Sequence, residues 1–268
     1  MTAAWRMKPD NSTAPPMRLN RYLARAGVAS RRKSDDLIRS GTVAVNGNVV
    51  EEPGHSIVDG WDHVAVAGRP VVLPASFEYI AMHKPASCLT TRRDERGRPT
   101  VFEYLDGLRP GTVTVGRLDL DTTGLLLLTD DGELAYRLMH PRFKVEKHYE
   151  ALVEGVPTDD ALKHLRRGIR LDDGMTAPAQ VRVIRRRHGL RGMETRLELC
   201  IREGRKRQVK RMFKALGHPV VELARTRFAG LALDGLEAGR WRRLKAGEIR
   251  HLRSLVGLEV TQCDARGA

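Results

Sequence analysis

The stretch from Val113 to Gly132 constrains the fold of this chain most. Val113-Thr-Val115 alternates, Gly116-Arg-Leu-Asp-Leu-Asp-Thr-Thr-Gly124 is polar and turn-rich, and Leu125 to Leu128 is an apolar run closed by Asp130-Asp131-Gly132. Alternation reads as a half-buried strand, and a short apolar run bounded by turn residues reads as a buried one. The polar segment is therefore a loop pinned between two core strands, which holds a catalytic side chain rigid while leaving it accessible. Asp119 stands at its centre.

The chain has 268 residues, enough for one large domain or a small module plus a larger one. Its formal charge of +14, from 47 Lys+Arg against 33 Asp+Glu, points to a polyanionic partner, with nucleic acid the default. Cys88, Cys200 and Cys263 show no paired spacing, and the histidines lack ligand spacings. Both observations argue against a disulfide framework or a zinc site and fit a reducing cytoplasm. No apolar run approaches the ~18 residues of a membrane span, and the N-terminus lacks an apolar signal core, so a soluble cytoplasmic protein is expected. No Gly-x-Ser-x-Gly elbow or phosphate-cradling Gly-rich loop with its lysine occurs.

Residues 1–16 lack periodicity and are expected to form a disordered tail. Leu19, Tyr22, Leu23 and Ala26 then lie on one face of a short helix stopped by Gly27, and Ser30 caps a second helix that ends at Gly41. Val43 to Val50 turns about Asn46-Gly47, a hairpin signal. Arg18, Arg21, Arg25, Arg31, Arg32, Lys33 and Arg39 crowd this segment against only Asp35 and Asp36. With Ala-Arg-Ala-Gly, Ser-Arg-Arg and Val-Asn-Gly in order, the helix–helix–hairpin plan resembles the S4-like RNA-binding domain over residues 17–75. That resemblance implies RNA docking through Arg21, Arg31 and Arg32.

Pro70 to Ser76 reads as the join to a second domain, residues 76–268, which opens with a strand from Phe77 to Met82. The Arg- and Gly-rich loop Thr90 to Thr100 suits either phosphate gripping or simple exposure. Helices are expected over Glu133–His140 and Thr158–Gly168, and strands at Lys147–Val153 and Leu197–Ile201. A helix follows with Val209, Met212, Phe213 and Leu216 on one face and Lys206, Arg207, Lys210, Arg211 and Lys214 on the others. With Arg205 these make a phosphate-binding ridge.

Asp119-Leu120-Asp121 leaves three readings. One is a turn whose Asp and Thr side chains bond their own backbone. A second is the Asp-x-Asp-x-Thr nucleophile of haloacid-dehalogenase-type phosphatases. That motif follows a strongly apolar run and needs further acidic magnesium ligands, whereas Gly116-Arg117 precedes the aspartate here. The third is a resemblance. Gly116 to Leu125, Lys147-x-Tyr149 and Glu203-Gly-Arg-Lys-Arg-Gln-Val-Lys-Arg-Met-Phe213 match, in order, three motifs of the RsuA/RluB-type ribosomal RNA pseudouridine synthases.

The resemblance implies an α+β protein. A small N-terminal S4-like module would precede a larger catalytic domain built on a mixed, mainly antiparallel sheet flanked by helices. It implies isomerisation of a uridine in ribosomal RNA without metal or cofactor. Asp119 would act as nucleophile or base, Tyr149 would stack on the uracil, and Lys210 would stand where relatives pair an arginine with the aspartate. Arg117 would fill the gap left by the extruded base, and Arg205 and Arg207 would contact RNA. A lysine at position 210 keeps the charge but lacks bidentate geometry. The runs Arg96 to Phe102 and Met139-His140-Pro141 lean toward large-subunit 23S RNA rather than small-subunit 16S RNA. A monomer is expected, and the reading from a different class is a non-catalytic RNA-binding ribosome-assembly factor.

Overall fold

The computed structural model describes residues 15–189 and 192–259, so most of the expected N-terminal tail lies outside the described residues. The chain divides into two compact units, one running to Ala75 and including residues 109–111, the other formed by Ser76–Leu108 and the chain from Thr112 onward.

In the first unit β1 (Met17–Arg18) pairs with β4 (Ser56–Ile57). Helices α1 (Leu19–Arg25) and α2 (Arg31–Arg39) lead to β2 (Val43–Val45), β3 (Asn48–Val49), β5 (Val64–Val66) and β6 (Arg69–Val71), whose sheet order is β3-β2-β5-β6. Ser30 caps α2 by accepting from the Lys33 amide at 3.4 Å. Asn46 and Gly47 take φ of 53° and 83°, as a primed two-residue hairpin requires. Leu19, Tyr22, Leu23, Ile38, Val43, Val45, Ile57 and Val64 form the core. Arg69-Pro70-Val71 is a strand, not the start of the join expected from sequence. It sits at the sheet edge, where proline's missing N–H breaks no ladder.

The second unit contains β7 (Tyr79–Lys84), β8 (Val113–Val115), β9 (Thr123–Thr129), α3 (Gly132–Met139), β10 (Lys147–Glu154), α4 (Asp159–Arg167), the small pair β11 (Arg170–Leu171) and β12 (Gly174–Met175), and the long hairpin β13 (Gln180–Gly189) with β14 (Gly192–Ile201). After it come α5 (Gln208–Ala215), β15 (Val220–Phe228), β16 (Leu231–Ala232), β17 (Trp241–Arg243) and α6 (Ala246–Leu255). The main sheet runs β13-β14-β10-β15-β9-β7-β17, with β8 also on β9 and β16 on β15. The β15–β9 pair is parallel and the others are antiparallel.

The apolar run at the centre of β9 is explained by burial on both faces. Leu126 and Leu128 join a core with Ile80, Met82, Tyr149, Leu162, Met212 and Phe213, while Leu125 and Leu127 join another with Leu134, Phe228, Ile249 and Leu252. Period-two alternation thus sends neighbouring leucines to opposite layers, beneath α4 and α5 on one face and α3 and α6 on the other.

Candidate active site

The loop from Gly116 to Thr122 leaves the end of β8 and returns into β9. It is held from beneath. Lys84, fully buried at the end of β7, donates from Nζ to the carbonyls of Thr122 at 2.9 Å, Leu120 at 3.3 Å and Pro85 at 2.8 Å. Burial pulls the Lys84 ammonium below its ordinary pKa, and the charges of Asp121 and Asp119 work the other way. Thr90 adds a second clamp: its hydroxyl donates to the Leu118 carbonyl at 2.8 Å and accepts from the Leu118 amide at 3.2 Å. The Thr122 amide closes the turn on the Asp119 carbonyl at 3.1 Å. Gly124 must be glycine. Its φ is +112°, and a Cβ there would sit 2.3 Å from the Arg225 carbonyl of the adjacent parallel strand.

Asp119 leaves this pinned loop half-buried and lines a cleft of about 850 Å³. Tyr149, from β10 and 9% exposed, lines the same cleft, so the two residues stand within one site. Arg117 is exposed on the loop, Lys206 and Arg207 are exposed at the start of α5, and all three line the cleft.

Two expected residues behave differently from the sequence reading. Lys210 is not among the lining residues. Its Nζ lies 2.5 Å from Oδ1 of Asp121, the second carboxylate of the loop, so its ion pair is with Asp121 rather than Asp119. Burial opposes ionisation of Asp121, but the hydrogen bond and charge of Lys210 hold that carboxyl below its ordinary range. Arg205 lines the cleft with its guanidinium already engaged. Nη1 donates to the carbonyls of Asp173 at 3.3 Å and Gly174 at 3.1 Å and to the Asp173 carboxylate at 3.2 Å, while Nη2 donates to the Met175 carbonyl. It clamps the β11–β12 turn. The neighbouring Glu203 carboxylate accepts from the Ala177 amide at 3.0 Å and from Gln208 Nε2 at 2.5 Å, and Gln208 Oε1 accepts the Arg205 amide at 3.0 Å. Much of this third motif thus builds the turn that launches α5.

In the first unit Arg21, Arg31 and Arg32 are exposed. In the Thr90–Thr100 loop, Arg92 stacks on Phe102 at 4.5 Å, and Arg98 pairs with Asp94 at 2.7 Å. Two of its arginines therefore serve the fold.

The family model for RNA pseudouridylate synthases matches residues 78–215, and the S4 domain model matches residues 17–60. The chain belongs to the RNA pseudouridylate synthase family. It is 42% identical over 238 residues to ribosomal large subunit pseudouridine synthase B of Bacillus subtilis (strain 168), covering 89% of this chain and 96% of that one. The Yersinia pestis protein of the same name is 41% identical over 249 residues, covering 91% and 77%. A crystal structure described as pseudouridylate synthase superposes with a TM-score of 0.63 at 30% identity, covering 88% of this chain and 99% of that one.

The floor of this pseudouridine synthase's cleft holds two cations that the sequence reading did not assign. Arg225 of β15 is 2% exposed, donates from Nε to the Leu125 carbonyl at 2.8 Å and lies 4.6 Å over the Phe228 ring. Its Nη2 is buried without a hydrogen-bond partner. Burial lowers the Arg225 pKa, and neighbouring Tyr149 favours its charged form. The second cation is Lys147, which donates to the Val145 carbonyl at 3.0 Å. Burial first, then the Arg225 charge, push Lys147 down to about 8.

Lys147 makes a pH prediction. Its folded pKa lies below its ordinary 10.5, so folding favours the neutral amine. The resulting penalty on stability is complete below about pH 8 and fades as the pH rises from about 8 toward 10.5. Lys147→Met should therefore be relatively most stabilising at neutral pH. The melting-temperature gap between mutant and wild type should shift toward the wild type across that window. A gap independent of pH would contradict the burial argument.

Proposed function

We propose that this enzyme isomerises one uridine of large-subunit ribosomal RNA to pseudouridine, with Asp119 as the reacting carboxylate. The observation that carries the proposal is the meeting of Asp119, on its pinned loop, with Tyr149 in one cleft edged by Arg117, Lys206 and Arg207. In the reaction the C1′–N1 bond breaks, the uracil turns, C1′ bonds to C5, and the C5 proton leaves to solvent while N1 gains one. No atom is added. A carboxylate suits this work because it can trap or stabilise positive charge at the sugar or take a proton. The glycosidic bond is hidden in a helix, so the nucleotide must be unpaired or extruded. Arg117 fills the gap and Tyr149 stacks on the base in this reading, which their shared position on the cleft lining supports. Lys210 acts at one remove, fixing Asp121 and hence the loop that bears Asp119. The unpaired Nη2 of Arg225 offers a buried donor to a uracil oxygen. Arg21, Arg31 and Arg32 supply sequence-independent phosphate affinity, and Arg205 supports the cleft wall.

The names of the similar proteins favour the large subunit. That substrate favours work in the cytoplasm, and we propose that the enzyme acts as a monomer. Among the described residues no helix is long and apolar enough to cross a membrane.

The test is nucleotide-resolution mapping of pseudouridine in ribosomal RNA from cells lacking this chain, with and without restoration of the wild type. One missing site in large-subunit RNA, regained on restoration, is expected. A missing site in small-subunit RNA would overturn the target, and no missing site in either would overturn the proposal.

A further inference from the structure

On β10 and β14 the fold assembles a group that the sequence spacing conceals. His148 and Cys200 stand directly opposite each other in the antiparallel ladder, and Glu146 precedes β10 with its carbonyl accepting from the Ala229 amide at 3.1 Å. His148 Nε2 lies 3.2 Å from Glu146 Oε2 and 3.6 Å from Cys200 Sγ, and the three ligand atoms all fall within 4.8 Å of one another.

Two chemistries use a thiol, an imidazole and a carboxylate. In a nucleophilic triad the thiol and the carboxylate engage different ring nitrogens, so that one orients the base while the other is activated. Here both converge on Nε2, which excludes that arrangement and describes one corner of a coordination polyhedron. A tetrahedral zinc ion with ordinary bond lengths sets imidazole nitrogen and carboxylate oxygen about 3.3 Å apart, and nitrogen and sulfur about 3.6 Å apart. The two edges in the structure, 3.2 and 3.6 Å, match those values.

The surroundings fit as well. Arg202 binds only the other carboxylate oxygen, Oε1, at 2.7 and 3.2 Å, which leaves Oε2 turned toward the imidazole. Such an outer partner fixes the orientation of a ligating carboxylate. Gln180 lies opposite Cys200 on β13 and Arg227 opposite His148 on β15. A cleft of about 600 Å³, whose lining includes His148, Cys200, Gln180 and Arg227, opens the imidazole and the thiol to water. Thiolate and carboxylate together balance the two charges of the ion, and Arg202 and Arg227 remain as cations beside it.

We propose that Glu146, His148 and Cys200 bind one zinc ion, with water as fourth ligand, on the strand that carries Tyr149. On binding, the thiol proton passes to solvent and the ion joins β10 to β14. None of the three ligands lines the Asp119 cleft, although Tyr149 borders both clefts, and the proposal does not depend on the function proposed above.

The full chain, stripped with a chelator, is titrated with cobalt(II) as the probe and then with zinc. One cobalt per chain with thiolate-to-cobalt charge-transfer absorption, bleached by one equivalent of zinc, is expected. Zinc should also raise the melting temperature of the wild type. Cys200→Ser should lose the absorption, His148→Gln should weaken zinc binding at least about a hundredfold, and Cys263→Ser should retain both. Absence of the absorption in the wild type overturns the proposal, as does its persistence in Cys200→Ser.

Discussion

Asp119→Asn should reduce pseudouridine formation by on the order of 10⁴-fold or more while leaving RNA affinity within about threefold of wild type. The substitution keeps the size and hydrogen-bonding reach of the side chain but removes its charge and its capacity as nucleophile or base. That loss amounts to about 5.4 kcal/mol of transition-state stabilisation. The loop should not move, because its anchors are Lys84, Thr90 and its own backbone rather than the Asp119 carboxylate. Tritium release from RNA labelled at uracil C5 measures the activity, and filter binding measures the affinity. Appreciable turnover by the mutant would remove Asp119 from the chemistry.

Lys84→Met is expected to be the most damaging substitution away from the reacting groups. Methionine fills a similar volume but cannot donate, so the carbonyls of Pro85, Leu120 and Thr122 lose their shared partner. A buried acceptor left unsatisfied costs about 1–3 kcal/mol, and hydrogen bonds from a charged donor are the stronger kind. Relief of the buried ammonium's desolvation offsets part of this. A net loss of about 2–4 kcal/mol is expected, lowering the melting temperature by roughly 5–15 °C. Activity should fall by about 10² or more even below the melting transition, since a shift of ~1 Å in a reacting group has that effect. Equal activity in folded mutant and wild type would show that the loop holds itself.

The scaffold of this site was legible because its signals are local. Apolar runs, turn glycines and the Asn46-Gly47 pair each have one low-energy solution, and β8, β9, α1, α2 and α5 formed where those signals lie. The long strand β13 was missed because beyond Ile184 it carries Arg185, Arg186, Arg187 and His188 instead of alternating apolar residues. Cross-strand pairs such as Arg182 with Glu198 and Arg187 with Glu194 stabilise it in their place. Arg225 could have been found: it sits two residues beyond Leu223 in a strand, which sets both on one inward face. The exchange of Asp119 for Asp121 as the partner of Lys210 could not. Two carboxylates two residues apart on a turn are equivalent in sequence, and only the packing of α5 against that turn decides which one the ammonium meets.

The central claim is that a uridine leaves its helix and meets a carboxylate on a fixed turn. A crystal structure of the Asp119→Asn protein bound to a substrate stem-loop tests it most directly. The account predicts the target uracil extruded and stacked on Tyr149, with ribose C1′ within ~3.5 Å of the residue 119 side chain. A target base still stacked in its helix, or a sugar lodged away from residue 119, would contradict it.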